Sequence, residues 1–142
     1  MISVIHYKKY VFGYIIKHSK KKGVNFLTPP NLTHQVGSLN HPRSHVIFPH
    51  LHLKNKRRVN YTSEVLIIQK GKLRLDLYSN KKKYLFSKIV KKKKILILLE
   101  GSHGFKILKK CSIIEIKQGP FSLSLDKERF NKIDEKFIKI KK

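Results

Sequence analysis

The chain contains no tryptophan and no alanine, a single cysteine, and only eight acidic residues among 142. The lone Cys111 excludes an internal disulfide and a cysteine-built zinc cage, and it fits a reducing compartment. No apolar run approaches the roughly 18 to 20 residues that cross a bilayer. The first ten residues lack the basic, apolar, small-residue order of a signal peptide. We therefore expect a cytoplasmic protein with no membrane partner. A length of 142 residues suits one domain spanning 1–142, with enough chain to bury a core.

The shortage of acids leaves a net charge of +25. Taken alone, that charge is the electrostatic footprint of a nucleic-acid binder. The missing alanine, the abundance of lysine and isoleucine, and the presence of only five arginines (Arg43, Arg57, Arg58, Arg74, Arg129) point instead to the codon drift of an AT-rich genome. The lysine runs, such as 20–22, 81–83 and 91–94, fall where turns are expected. A charge run in that position is ordinarily a solvated surface.

The hydrophobic pattern is that of an all-β chain. Residues 72–78 alternate strictly, with Leu73, Leu75 and Leu77 on one face and Lys72, Arg74, Asp76 and Tyr78 on the other, as a half-buried strand requires. Residues 64–70, 84–90, 94–99, 105–108 and 112–117 read as further strands, with Lys70-Gly71 and Ser79-Asn80 as turns. Upstream, 34–39 and 45–48 read as strands between breaks at Pro29-Pro30 and Asn40-His41-Pro42. Regular short strands of this kind form a sandwich or a barrel rather than βαβ units. At the C-terminus Phe130, Ile133, Phe137 and Ile140 share one helical face, so a short helix is expected within 126–142, with Asp126 as its cap.

Chemistry enters with the histidines. His50-Leu51-His52 sets two imidazoles two residues apart, so in an extended strand both point to one face and can reach one metal ion. Glu64 follows after eleven residues, at the head of a strand. A third imidazole, His103, lies in the glycine turn Gly101-Ser102-His103-Gly104. The loop between His52 and Glu64 carries Lys54, Lys56, Arg57 and Arg58. If it borders a site, Arg57 offers charge-assisted donors to a phosphate or carboxylate. Tyr61, on the same loop, is a candidate proton donor for catalysis. His34, His41 and His45 read as surface or strand residues.

His50-x-His52, Glu64 with Gly71 seven residues on, and His103 at a strand-flanked glycine turn resemble the two motifs of the cupin superfamily. With Gln35-Val36-Gly37, Arg57-x-Val59-x-x-Thr62-x-Glu64 and Glu115-Ile116-Lys117-Gln118-Gly119-Pro120-Phe121, the likeness extends over roughly residues 20–130. It is closest to short single-domain bacterial cupins that accompany cell-surface sugar genes. The resemblance implies a jelly-roll β-barrel with its core at about 20–121. It implies a divalent transition metal (Fe, Mn, Ni or Zn) held by His50, His52, Glu64 and His103. It also implies Arg57 and Gln118 as substrate-binding residues and a homodimer. The function expected is a metal-binding cupin acting on an anionic, carbohydrate-linked small molecule, as an isomerase or epimerase or, on another chemistry of the fold, an Fe(II) dioxygenase. The alternative is a basic nucleic-acid-binding or regulatory domain in which the barrel is only a scaffold.

Overall fold

The computed structural model describes residues 2–120, 122 and 126–142; Phe121, the last residue of the expected barrel core, lies outside the described residues. The strands are β1 (Ile2–Tyr7), β2 (Tyr10–Lys17), β3 (Gly23–Phe26), β4 (Gly37–Asn40), β5 (Glu64–Tyr78), β6 (Tyr84–Lys91), β7 (Lys94–Leu98) and β8 (Ser102–Lys117). Six of them form one antiparallel sheet in the order β1-β2-β7-β5-β6, with β8 on the other side of β5. β3 and β4 make a separate hairpin.

Strand β5 organises the sheet. Its whole length pairs with β8, while its other edge is shared: β7 pairs with the first half, from Glu64 to Ile68, and β6 with the second, from Lys72 to Tyr78. A straight strand of this length would run about 46 Å at ~3.3 Å per residue. Yet Leu98 pairs with Glu64 and Ser102 with Tyr78. Those two residues stand four steps apart in the chain, at most about 14 Å, so the ends of β5 lie within roughly 25 Å of each other. The sheet is therefore curled into a half-barrel.

Gly71 makes the bend. The sequence reads Lys70-Gly71 as a turn between two strands, but the glycine is an irregularity inside one long strand, flanked by register shifts against β8. Its φ is +91°, and a Cβ there would sit 2.3 Å from the Lys110 carbonyl oxygen. Across from it the β6–β7 step closes with Lys92 N–H donating to Gly71 O at 3.1 Å and Lys93 N–H to Ile68 O at 2.8 Å. The bulge also reverses which parity of β5 faces the inside, so Leu66 and Ile68 join Leu73, Leu75 and Leu77 in one core with Ile5, Phe86, Val90 and Leu96. Each such side chain contributes about 1.5–3 kcal/mol on burial. The segments expected at 105–108 and 112–117 are likewise one strand, β8.

Two expectations near the N-terminus are corrected. The strand at 34–39 is reduced to β4, because residues 27–36 form a folded-back turn: Leu27 N–H donates to Val36 O, and the Gln35 amide donates to the carbonyls of Pro29 and Leu32. Its Leu27, Leu32 and Val36 cover a second apolar cluster of Tyr14, Ile16, Val65 and Ile97. Residues 45–48 form no strand; Val46, Ile47 and Phe48 are exposed in an irregular stretch over 41–63. A β-rich run with no neighbour to share a ladder gains nothing from its propensity. The hairpin β1–β2, which the sequence reading passed over, supplies the far edge of the sheet.

The C-terminal helix is also corrected. Residues 126–142 form no helix beyond a single 3₁₀ turn, Glu135–Phe137, capped by Asp134. Asp126 instead accepts from Ser122 N–H at 2.8 Å. The segment runs along β6, where Ser87 N–H donates to Lys139 O and Lys141 N–H donates to Ser87 O. What draws it there is the polar face of β5. Arg74 and Asp76, expected to face water, are buried, and the guanidinium pairs with Asp76 Oδ1 at 2.7 Å and with Glu135 Oε2 at 2.6 Å. Ser87 donates to the same Asp76 at 2.6 Å, and Lys106 reaches Glu135 at 2.8 Å. A buried guanidinium shared by two carboxylates holds the tail down better than a helix with one apolar stripe. No helix among the described residues is long and apolar enough to cross a membrane.

Candidate functional site

The curl of β5 brings its first residue to the start of β8. Glu64 opens β5 beside Lys117, and His103 sits one residue into β8, opposite Leu77. Their side chains meet across the hollow of the half-barrel, His103 Nε2 to Glu64 Oε2 at 3.0 Å, both partly buried. The hydrogen bond from His103 holds the Glu64 carboxyl below its ordinary value. Burial acts in the opposite sense, and the charges of His103, Lys117 and Lys127 assist the lowering. A carboxylate that fixes one ring nitrogen sets the orientation of the imidazole.

The pair lies in the wall of a cleft of about 720 Å³. β5, β8 and the β7–β8 turn form its floor, with Thr62, Leu98, Gly101 and Phe105, and residues 126–132 of the C-terminal segment form the facing wall. Tyr78 also lines it; its hydroxyl accepts from Ile133 N–H at 3.1 Å, and burial pushes the phenol up. Five cations border the cleft: Lys82, Lys117, Lys127, Arg129 and Lys132. Four carboxylates join them, Glu64, Glu115, Asp126 and Glu128, which is half of the eight acidic residues in the chain. Lys82 and Glu128 form an ion pair across the cleft. The site is thus amphoteric: ammonium groups suit phosphate or carboxylate, and carboxylates suit hydroxyl donors.

The sequence-derived residues divide. Glu64 and His103 meet in the cleft, and Glu115 and Lys117 join them there. His50 and His52 do not; they stand exposed on the 41–63 stretch with their rings 5.0 Å apart and edge to face, and His50 Nδ1 bonds to Phe48 O at 3.1 Å. Among the described residues no three His, Cys, Asp or Glu side chains converge to hold an ion. The four residues expected as metal ligands are therefore not assembled as a centre in this arrangement. Arg57 and Tyr61 are exposed on the same stretch, outside the cleft lining.

Gln118 is engaged within the protein. Its Oε1 accepts from Ser63 N–H at 2.9 Å, and its Nε2 lies 3.0 Å from Ser63 Oγ and 3.1 Å from His34 Nδ1. With His34 Nδ1 at 2.7 Å from Ser63 Oγ, these groups pin the folded-back 27–36 segment to the head of β5. Ser63 is 2% exposed, so this serine and histidine are a structural fastening rather than a nucleophile and its base. His41 and His45 stack in parallel, with ring centroids 4.0 Å apart.

The wall at 126–132 was hidden from the sequence because it was read as helix. Its signal was the cluster Asp126, Glu128 and Arg129 in a chain poor in acids and arginine. Comparison with protein-family models, with curated proteins and with solved structures returns no match.

Proposed function

We propose that this chain is a cupin-type barrel that binds an anionic, carbohydrate-linked small molecule in the cleft beside Glu64 and His103. The observation that carries the reading is the company of this pair: four carboxylates and five cations around one cleft, in a chain with 33 basic and eight acidic residues. A ligand bearing both hydroxyls and a phosphate or carboxylate satisfies both sets, whereas a plain anion leaves the carboxylates opposed to it. His103, oriented by Glu64, is the group placed to take a proton from a carbon next to a carbonyl, the elementary step of a sugar isomerisation or epimerisation. Among the described residues Glu64 and His103 stand together without His50 and His52, and the reading is confined to what this pair can do.

Calorimetric titration of the full chain with a hexose phosphate, the free hexose and inorganic phosphate tests the reading. The hexose phosphate should bind more tightly than either fragment, and Glu64→Gln or His103→Asn should weaken it about tenfold or more, as loss of a hydrogen bond to a charged group does. Equal affinity for phosphate with and without the sugar, indifferent to both substitutions, would refute it. The nucleic-acid alternative makes the opposite forecast: DNA or RNA affinity unaffected by the two substitutions and falling steeply with salt.

A further inference from the structure

The bend at Gly71 carries charge of one sign. Residues 67–73 of β5, 89–95 of the β6–β7 step and 107–113 of β8 meet there, and they hold eight lysines and no acidic residue, arginine or aromatic ring. Lys72 stands directly opposite Lys91 on one side and Lys109 on the other. Neighbouring strands lie about 4.8 Å apart, so these three side chains rise from a row about 10 Å wide, within one Debye length at cellular salt. Among the described residues none of the eight ammonium groups pairs with a carboxylate. Like charges set opposite each other across a ladder oppose folding, and nothing within the chain offsets them here.

The cleft differs, since four carboxylates stand among its five cations. Codon drift supplies lysine to any exposed position, but it does not direct the acids away from one end of the molecule. Because β5 folds back at Gly71, the bend is the end of the curl farthest from Glu64 and Tyr78, and so from the cleft. An apolar element joins the lysines. The register steps from Leu73–Ile107 to Lys72–Lys109, which makes Leu108 the extra residue of a bulge. Leu108 is 42% exposed, between an exposed Ile107 and the exposed Lys109 and Lys110.

We propose that the bend at Gly71 is a docking surface for an anionic lipid bilayer, with the lysines on headgroup phosphates and Leu108 at the acyl boundary. A surface contact needs no crossing segment, so the inference revises the expectation of no membrane partner, which rested on the lack of one. The compact charge of lysine suits a fluid field of phosphates, which asks for no fixed fork geometry. A nucleic acid is read by arginine at base edges and by aromatic rings against bases, groups this end lacks, and it gives an exposed leucine nothing to bind. The cleft lies at the other end and stays open to a soluble ligand, so the inference is independent of the function proposed above.

The test is cosedimentation of the full chain, at about 0.15 M salt, with vesicles of phosphatidylcholine alone and of equal parts phosphatidylcholine and phosphatidylglycerol. The chain should pellet with the anionic vesicles only. Neutralising the bend with Lys91→Gln, Lys92→Gln and Lys109→Gln should lower that affinity about a hundredfold, whereas Lys8→Gln, Lys9→Gln and Lys81→Gln should lower it no more than about threefold. The second set removes the same charge from the β1–β2 and β5–β6 turns, at the cleft end. The bend variant relieves like-charge pairs, so its urea midpoint should not fall. Leu108→Ser, at an exposed position, should weaken vesicle binding severalfold and leave any binding to duplex DNA unchanged. Equal losses from the two triple variants, or equal pelleting with both kinds of vesicle, would overturn the docking surface. Bend-dependent binding to duplex DNA without pelleting on anionic vesicles would assign these lysines to nucleic acid and overturn the bilayer.

Discussion

Arg74 is the residue whose removal should cost the most outside the apolar core. Its guanidinium donates through Nε and Nη2 to Asp76, at 2.7 and 2.9 Å, and through Nη1 and Nη2 to Glu135, at 2.6 and 3.1 Å. These pairings hold the guanidinium well above its ordinary pKa, with Asp76 the larger contributor. Arg74→Met keeps much of the volume and removes the charge. Glu135, on the surface, retains Lys106, but Asp76 is then a carboxylate at 7% side-chain exposure with only the Ser87 hydroxyl left to it. Breaking a buried pair in this way costs about 3–5 kcal/mol. For a domain whose whole stability is about 5–15 kcal/mol, that is a large share.

Urea unfolding followed by far-ultraviolet circular dichroism reads the effect directly. With a slope near 2 kcal/mol per molar urea, the midpoint of Arg74→Met should fall by roughly 2 M. Adding Asp76→Asn should recover at least half of that, because the cost is assigned to an unpaired charge and asparagine carries none. A shift below about 0.5 M for the single variant would show that the guanidinium is not a keystone. A large shift with no recovery in the double variant would place the cost in lost packing instead.

The same network predicts an acid response. Arg74, and after it Lys106, hold the Glu135 carboxyl at about 2 against an ordinary 4.5, so its folded value is depressed. The attachment it provides is complete above pH 4.5 and is lost as pH falls from there through about 2. Tryptic release of the C-terminal segment does not serve at such pH, but pepsin does, and cleavage within 126–142 should accelerate across that window in wild type and be fast throughout in Glu135→Gln; a flat wild-type profile would contradict the assignment. Gly71→Ala should destabilise by at least about 2 kcal/mol in the same urea assay, since it demands a left-handed backbone and a Cβ 2.3 Å from a carbonyl oxygen; a neutral result would mean the bend is placed elsewhere. His50→Ala with His52→Ala should leave hexose-phosphate affinity within twofold, because neither ring lines the cleft; loss of one equivalent of bound metal in that variant, measured by elemental mass spectrometry, would show that the 41–63 stretch carries its imidazoles to Glu64 and His103.

Much of the sheet was legible because alternation is a local signal. Leu73, Leu75 and Leu77 announced the second half of β5, and the spacing of the later strands announced an all-β chain. Whether Gly71 ends a strand or bends one is decided by what lies across it, and residues 109–111 are far away in sequence. The polar face of 72–78 misled for a related reason. Arg74 and Asp76 look like solvent-facing residues until a carboxylate arrives from position 135, and nothing local at Arg74 reports that. The tail then read as helix because Phe130, Ile133, Phe137 and Ile140 fit a period of 3.6, whereas backbone pairing with Ser87 and the pull on Glu135 hold it against the sheet instead. Of the site, Glu64 and His103 were singled out as expected metal ligands by the resemblance to the cupin motifs, Glu64 at the head of a strand and His103 in a glycine turn. Asp126 and Glu128 depend on tertiary placement.

The distribution of acids gives the strongest reason to separate background charge from function. Asp76, Asp134 and Glu135 serve the C-terminal attachment, the first and last on Arg74 and the second as the cap of the 3₁₀ turn. Glu64, Glu115, Asp126 and Glu128 line the cleft, and Glu100 accepts from Asn80 at its edge. Together these are all eight carboxylate side chains of the chain. Self-repulsion at +25 would be relieved best by carboxylates spread evenly among the lysines. Gathering them in one attachment and around one cleft forgoes part of that relief, so their placement answers local requirements. A polyanion laid along the cleft would meet these carboxylates as well as the lysines, whereas a compact ligand can set its hydroxyls on the one and its phosphates on the other. The surplus of lysine is thus compatible with many partners, and it is the placement of the few acids that supports the proposal of a ligand anionic and hydroxylated at once.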